Sequence, residues 1–226
     1  IIYCGDRWAN FAGNGLGYNQ WFPLSFNGSV PYFNSLSSWN FNASTGKWNV
    51  AAENDYVKNG SFEADRKHIP SIVKPVQKQL TGWESIVIEG NKIDLDSTRS
   101  PFLNYFNTTL DRKIVTGEKS LLISDEATFK RKVFQKISST PFVKLPDGLY
   151  TLSAKVKNCG NFLTLEMYAT SNSRRLSFPI NQENKDWQTI KISNVKVRQG
   201  NVEIGFLAYG NAKAYCYVDD VTLVKN

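Results

Sequence analysis

The chain has 226 residues, of which 41% are hydrophobic and 21% charged, and it carries a net charge of +7. That is enough for one large domain, or for one ordinary domain and a smaller piece, built around a real core. No stretch approaches the roughly 20 apolar residues of a membrane-spanning helix. Three scattered cysteines (Cys4, Cys159 and Cys216) and the single His68 argue against a disulfide scaffold, a zinc site and histidine-based catalysis.

The chain opens Ile1-Ile2-Tyr3-Cys4, which reads as a strand interior and lacks the basic start of an export signal. It is therefore read as a piece cut from something longer. Residues 1–58 hold 13 of the 30 aromatics, including Trp8, Trp21, Trp39 and Trp48. The run Gly13-Asn14-Gly15-Leu16-Gly17 has no Lys-Ser/Thr after it, so it reads as turns between short strands and not as a phosphate loop. A boundary is expected near Asp55–Asn59, which divides the chain into 1–58 and 59–226.

Beyond the boundary, apolar and polar residues alternate with period two. Short strands are predicted at Ile86–Ile88, Leu121–Ile123 and Val133–Ile137. Tyr150, Leu152, Ala154 and Val156 form one inward row, and Leu163, Leu165, Met167 and Ala169 another. Leu176–Ile180, the Ile190/Ile192 pair, Val202–Ala208 and Tyr215–Leu223 follow. Pro146-Asp147-Gly148 and Gln199-Gly200-Asn201 mark turns. About ten strands with one apolar face each must close into two packed sheets or a barrel, so the fold class is all-β. The surplus of basic residues lies wholly after residue 58 and is spread singly, clustering only at Lys130–Lys132 and Arg174–Arg175. Such a spread describes a solvated sheet face better than a nucleic-acid groove.

Five motifs in order, Asn59-Gly60-Ser61-Phe62-Glu63, Gly117-Glu118-Lys119-Ser120-Leu121, Phe134-Gln135-Lys136-Ile137, Gly148–Ala154 and Tyr217–Leu223, resemble the jelly-roll carbohydrate-binding modules of families four, nine and twenty-two. Tyr3–Trp8, Tyr18–Leu24, Trp39 and Gly46-Lys47-Trp48 resemble the last blade of the five-bladed propeller of glycoside hydrolase family forty-three, in its galactan-cleaving branch. The resemblance implies an antiparallel jelly-roll sandwich over 59–226, preceded by a propeller remnant. The remnant's carboxylates, Asp6, Glu53 and Asp55, match no catalytic position of that family, so no catalytic residue is expected here.

If Val221 and Leu223 point inward, Asp219 shares their face, where a carboxylate needs a partner. The resemblance places a structural calcium there, held by Glu63, Asp219 or Asp220 and by carbonyls near Ser61 and Lys119. The competing reading has the carboxylates facing solvent or neutralised by Lys119. For sugar binding, exposed rings beside hydrogen-bonding groups are needed. Tyr168 and Tyr209 on polar strand faces, Glu166 beside Tyr168, and Phe129 with Arg131 in a loop are the candidates. Trp83 and Trp187 are assigned to packing, and Thr98–Thr109 is an aromatic loop.

The function expected is a non-catalytic module that binds an oligosaccharide or polysaccharide, galactan or arabinogalactan among them. A structural sandwich bracing the propeller, or a piece of an active glycosidase, are the alternatives. Neither nucleic acid nor a membrane span is expected. The remnant should pack on the sandwich, on missing blades or on another copy. The resemblance implies export to the periplasm or cell surface.

Overall fold

The computed structural model describes residues 1–5, 20–64, 80–91, 103–104, 117, 119–180 and 182–226. Asp6, Trp8, His68 and most of Thr98–Thr109 lie outside the described residues. No helix occurs among the described residues, and none is long and apolar enough to cross a membrane.

The N-terminal piece forms β1 (Ile2–Gly5), β2 (Gln20–Asn27) and β3 (Val30–Phe33), a three-stranded antiparallel sheet, and a separate hairpin of β4 (Trp39–Asn42) and β5 (Lys47–Val50). The strands that follow are β6 (Glu84–Glu89), β7 (Leu103–Asn104), β8 (Ser120–Ser124), β9 (Phe129–Ser138) and β10 (Gly148–Asn158). β11 (Phe162–Ser171), β12 (Arg174–Pro179), β13 (Asn184–Val197), β14 (Asn201–Gly210) and β15 (Tyr215–Lys225) complete the chain. Ten of these strands make two five-stranded sheets, in the orders β13-β10-β15-β8-β7 and β12-β11-β14-β9-β6. This is the all-β sandwich expected from the alternation.

Alternation explains the layers. In β10, Tyr150, Leu152, Ala154 and Val156 are buried and the residues between them are half-buried. They face Val202, Ile204, Phe206 and Ala208 of β14 and Leu165 and Met167 of β11 within one core. Burying each such Val, Leu, Ile or Phe contributes about 1.5–3 kcal/mol. Two of the register shifts in the first sheet fall at Asn194 (φ 60°) and Asp220 (φ 47°), both in the left-handed region that Asn and Asp tolerate. In the second sheet a register shift between Phe162 and Thr164 turns Leu163 outward at 56% exposed and sends Phe162 inward. The alternation had placed Leu163 inside.

The segment before the sandwich is tied to it. Asp55 bridges to Val224, its Oδ1 accepts from Leu223 N at 2.8 Å, and Tyr56 N donates to Leu223 O at 3.1 Å. Gln135 exchanges hydrogen bonds with Lys58, and Tyr32 meets Phe142 with centroids 5.3 Å apart. Residues 59–64 form turns and bends. Phe62 has φ 57° there and is fully buried against Trp83, whose Nε1 donates to Asn59 O.

Candidate functional site

Register builds one continuous outer face on the second sheet. Glu84, Phe134, Gly205, Tyr168 and Ser177 stand in one row across all five strands, and Ile86, Lys132, Leu207, Glu166 and Pro179 in the next. Lys136, Glu203, Thr170 and Arg175 flank them on one side, and Glu89, Lys130, Tyr209 and Thr164 on the other. Glu166, Tyr168 and Tyr209 are therefore brought to one surface, as the sequence led us to expect. Gly205 sits between the two rings. A Cβ there would lie 2.4 Å from Val133 O and 2.8 Å from Phe134 Cα, so no side chain fits.

Cations seal this face. Arg175 lies 3.9 Å from the Tyr168 ring centroid, and Lys132 stands 4.2 Å from that of Phe134 and 5.7 Å from that of Tyr168. Lys130 lies 5.9 Å from Tyr209. Such contacts contribute about 0.5–2 kcal/mol each. Tyr168 OH donates to Glu203 Oε1 at 2.8 Å, Lys132 pairs with the same oxygen at 2.9 Å, and Arg175 pairs with Glu166. Burial opposes ionisation of Glu203, but the Lys132 and Tyr168 hydrogen bonds outweigh it and hold its carboxyl below the usual range. Burial, then the Glu203 bond, pushes the Tyr168 phenol up, so it stays protonated. Tyr168 is on the polar face as expected, yet at 0% exposed it offers no open ring.

Phe129 and Arg131 do not lie in a loop. Both are in β9 on its inner side, with Phe129 fully buried against Phe162. Arg131 reaches under the rim to Ser124 O and Asp125, with its guanidinium 5.2 Å from the Phe129 ring. Two inward positions of one strand carry them, so neither meets a ligand on the outer face. The Phe134, Lys132, Glu203 and Arg175 of that face were not singled out. A phenylalanine in the polar row between Lys132 and Lys136 was the visible signal.

The expected calcium ligands fall differently. Lys119 is 0% exposed, its Nζ 3.6 Å from Glu63 Oε2 and 3.4 Å from Glu63 O, while its N–H donates to Glu63 Oε1 at 2.8 Å. Gly117 closes on the same carboxylate, since a Cβ there would lie 2.4 Å from Glu63 Oε1. Asp220 pairs with Lys155 at 3.2 Å, and Asp219 is buried with its Oδ1 accepting from Asp220 N. The bulge at Asp220 breaks the alternation that set Asp219 on the face of Val221. Ser61 is half-buried beside a cleft described below. Among the described residues no group of three or more His, Cys, Asp or Glu side chains stands ready to hold a metal. A buried ammonium thus stands beside the Glu63 carboxylate.

The cleft runs between the N-terminal sheet and the sandwich and has a volume of about 640 Å³. Tyr32, Phe33 and Tyr56 line it from one side, and Gln135, Ser138 and Thr140 from the other. Asp55 at its edge is held by Leu223 N and Val57 N; burial nevertheless dominates and raises its carboxyl above the usual range.

No protein-family model matches the chain, and no curated protein matches it in sequence. Solved structures do. The module TmCBM61, solved in complex with β-1,4-galactotriose, matches with a TM-score of 0.55 at 16% identity, over 76% of this chain and 99% of that one. The enzymatically active domain of tailspike protein 4 of bacteriophage CBA120 matches with a TM-score of 0.48 at 13% identity, over 75% of this chain and 21% of that one. A CBM4 structure matches with a TM-score of 0.40 at 17% identity, over 75% and 99% respectively. The similarity to TmCBM61 shows that this chain shares the β-sandwich fold of that module.

Proposed function

We propose that this chain is a non-catalytic accessory module that binds a neutral glycan and belongs to an exported polysaccharide-degrading enzyme. The observation that carries the reading is the outer face of the second sheet. There the half-buried Tyr209 ring stands in register with Lys130 and Thr164, with Glu166 in the neighbouring row. Aromatic faces with hydrogen-bonding groups around them suit pyranose rings. Lys130, Lys132, Lys136 and Arg175 are matched on that face by Glu84, Glu89, Glu166 and Glu203, so it favours an uncharged polymer over a polyanion. TmCBM61 was solved with a galactotriose, which makes β-1,4-galactan the first ligand to try. The likeness of residues 1–58 to a family forty-three propeller blade supports a galactan-cleaving glycoside hydrolase as the parent.

A second reading, a structural sandwich that braces a neighbouring domain, is favoured by the sealing of Tyr168 beneath Arg175 and by the hydrogen bonds that pin Asp55 and Tyr56 to β15. Native affinity electrophoresis in gels containing galactan, arabinogalactan, xylan or β-glucan separates the two. Retardation in at least one neutral polysaccharide is expected. Unchanged mobility in all of them refutes glycan binding and leaves the bracing role.

A further inference from the structure

We infer that the cleft between the N-terminal sheet and the sandwich is a second oligosaccharide site, separate from the sheet face; the inference rests on the glycan-binding reading. Its volume of about 640 Å³ falls in the range of roughly 300–1,000 Å³ typical of small-molecule sites, which favour the junctions between structural units. Its walls are fixed in place by the Asp55–Leu223, Tyr56–Leu223 and Lys58–Gln135 hydrogen bonds. A ligand therefore meets a formed site and orders little on binding.

The lining is the chemistry the sheet face lacks. Tyr32 and Phe33 are 37% and 51% exposed, and among the described residues no cation is stacked on either ring. Tyr32 packs on Phe142 and Phe33 meets Tyr3 edge-on, and the parts of both rings left exposed can meet sugar C–H groups, whereas Tyr168 is capped. Asn34, also in the lining, supplies a second and independent sign. Its Nδ2 donates to Pro23 O and Ser25 Oγ, both at 2.9 Å, which fixes the amide orientation. Its Oδ1 is left buried with no hydrogen-bond partner. Buried polar atoms in native proteins are nearly always satisfied, so a donor is missing at this wall. A sugar hydroxyl, directly or through a water, is such a donor. Among the described lining residues Asp55 is the one carboxylate and already accepts two backbone hydrogen bonds, and the two lysines, Lys58 and Lys136, are solvent-exposed, so an uncharged ligand is the match we draw.

The test uses the full chain and titrates it calorimetrically with neutral oligosaccharides from galactan, arabinan, xylan and β-glucan. Tyr32→Ala and Phe33→Ala remove the rings at exposed positions. Ser35→Trp fills the cleft from an exposed loop residue without removing a core contact. Tyr209→Ala alters the sheet face alone. Each cleft variant should weaken binding at one site about tenfold or more, or abolish it, while Tyr209→Ala leaves that site intact. Thermal melts matching wild type show that the variants are folded. If all three cleft variants bind as wild type while Tyr209→Ala loses affinity, the cleft site is wrong and glycan binding stands. If wild type binds none of the oligosaccharides, both fall.

Discussion

Lys119→Met removes one charge and keeps most of the side-chain volume. It leaves Glu63, with a side chain only 8% exposed, facing no ammonium. Breaking a buried pair by deleting one partner costs about 3–5 kcal/mol, because the remaining charge loses its compensation. For a domain of this size each kcal/mol lowers the melting temperature by about 2–4 °C, so Lys119→Met should melt about 6–20 °C below wild type. Glu63→Gln keeps the acceptor for Lys119 N–H but removes the carboxylate charge that faces the ammonium, and should fall in the same range. The double variant Lys119→Met/Glu63→Gln removes both charges and should recover much of the loss. Circular-dichroism melts read all three. The same melts decide the calcium question: with Lys119 as the resident cation, millimolar calcium and a chelator should give superimposable wild-type curves. A chelator-induced drop of several degrees refutes this reasoning, as does a Lys119→Met variant that melts with wild type.

Two further outcomes follow from the titrating groups. Burial opposes ionisation of Asp125, but hydrogen bonds from Ala127 N, Asn91 N and the Asn91 amide, with the Arg131 charge, outweigh it and hold its carboxyl low. A depressed folded value contributes stability above the unfolded carboxylate pKa of about 3.9, and that stability is lost as pH falls through the folded value. Asp125→Asn should thus melt below wild type at neutral pH, with the gap closing in acid; a gap that stays constant with pH contradicts this. Asp55 has the opposite sign. Its folded value is raised, so its ionisation weakens the fold as pH climbs from the unfolded value through the folded one. Asp55→Asn keeps an acceptor for Leu223 N and Val57 N, and should melt at or above wild type at neutral pH; a fall of several degrees would refute it.

The sandwich was legible because its strands obey a local rule. Tyr150, Leu152, Ala154 and Val156 announce an inward row by spacing alone, and the structure buries all four. Where reading failed, an extra residue had entered a strand. Leu163 and Asp219 both sit beside register shifts, and one added residue moves every later side chain to the other face. Asp220 and Asn194, residue types that tolerate positive φ, were the local hint of two such shifts. The described N-terminal strands form a three-stranded sheet and a separate hairpin.

The candidate site was less legible, since its features are made across strands. A polar strand face predicts that Tyr168 points outward, but not that Arg175 from β12 and Lys132 from β9 lie over it, because that requires the register of three strands. The cleft requires more still, as Tyr32 and Thr140 meet only when the N-terminal sheet docks on the sandwich. Glu63 and Lys119 lie 56 positions apart and were both named, each as a ligand of one ion. What spacing cannot reveal is which end of a lysine faces a site. Turning the Lys119 ammonium toward Glu63 places the positive charge within the chain itself. A covalently tethered cation cannot be diluted away, so the join between the opening turn and β8 should hold at any calcium concentration.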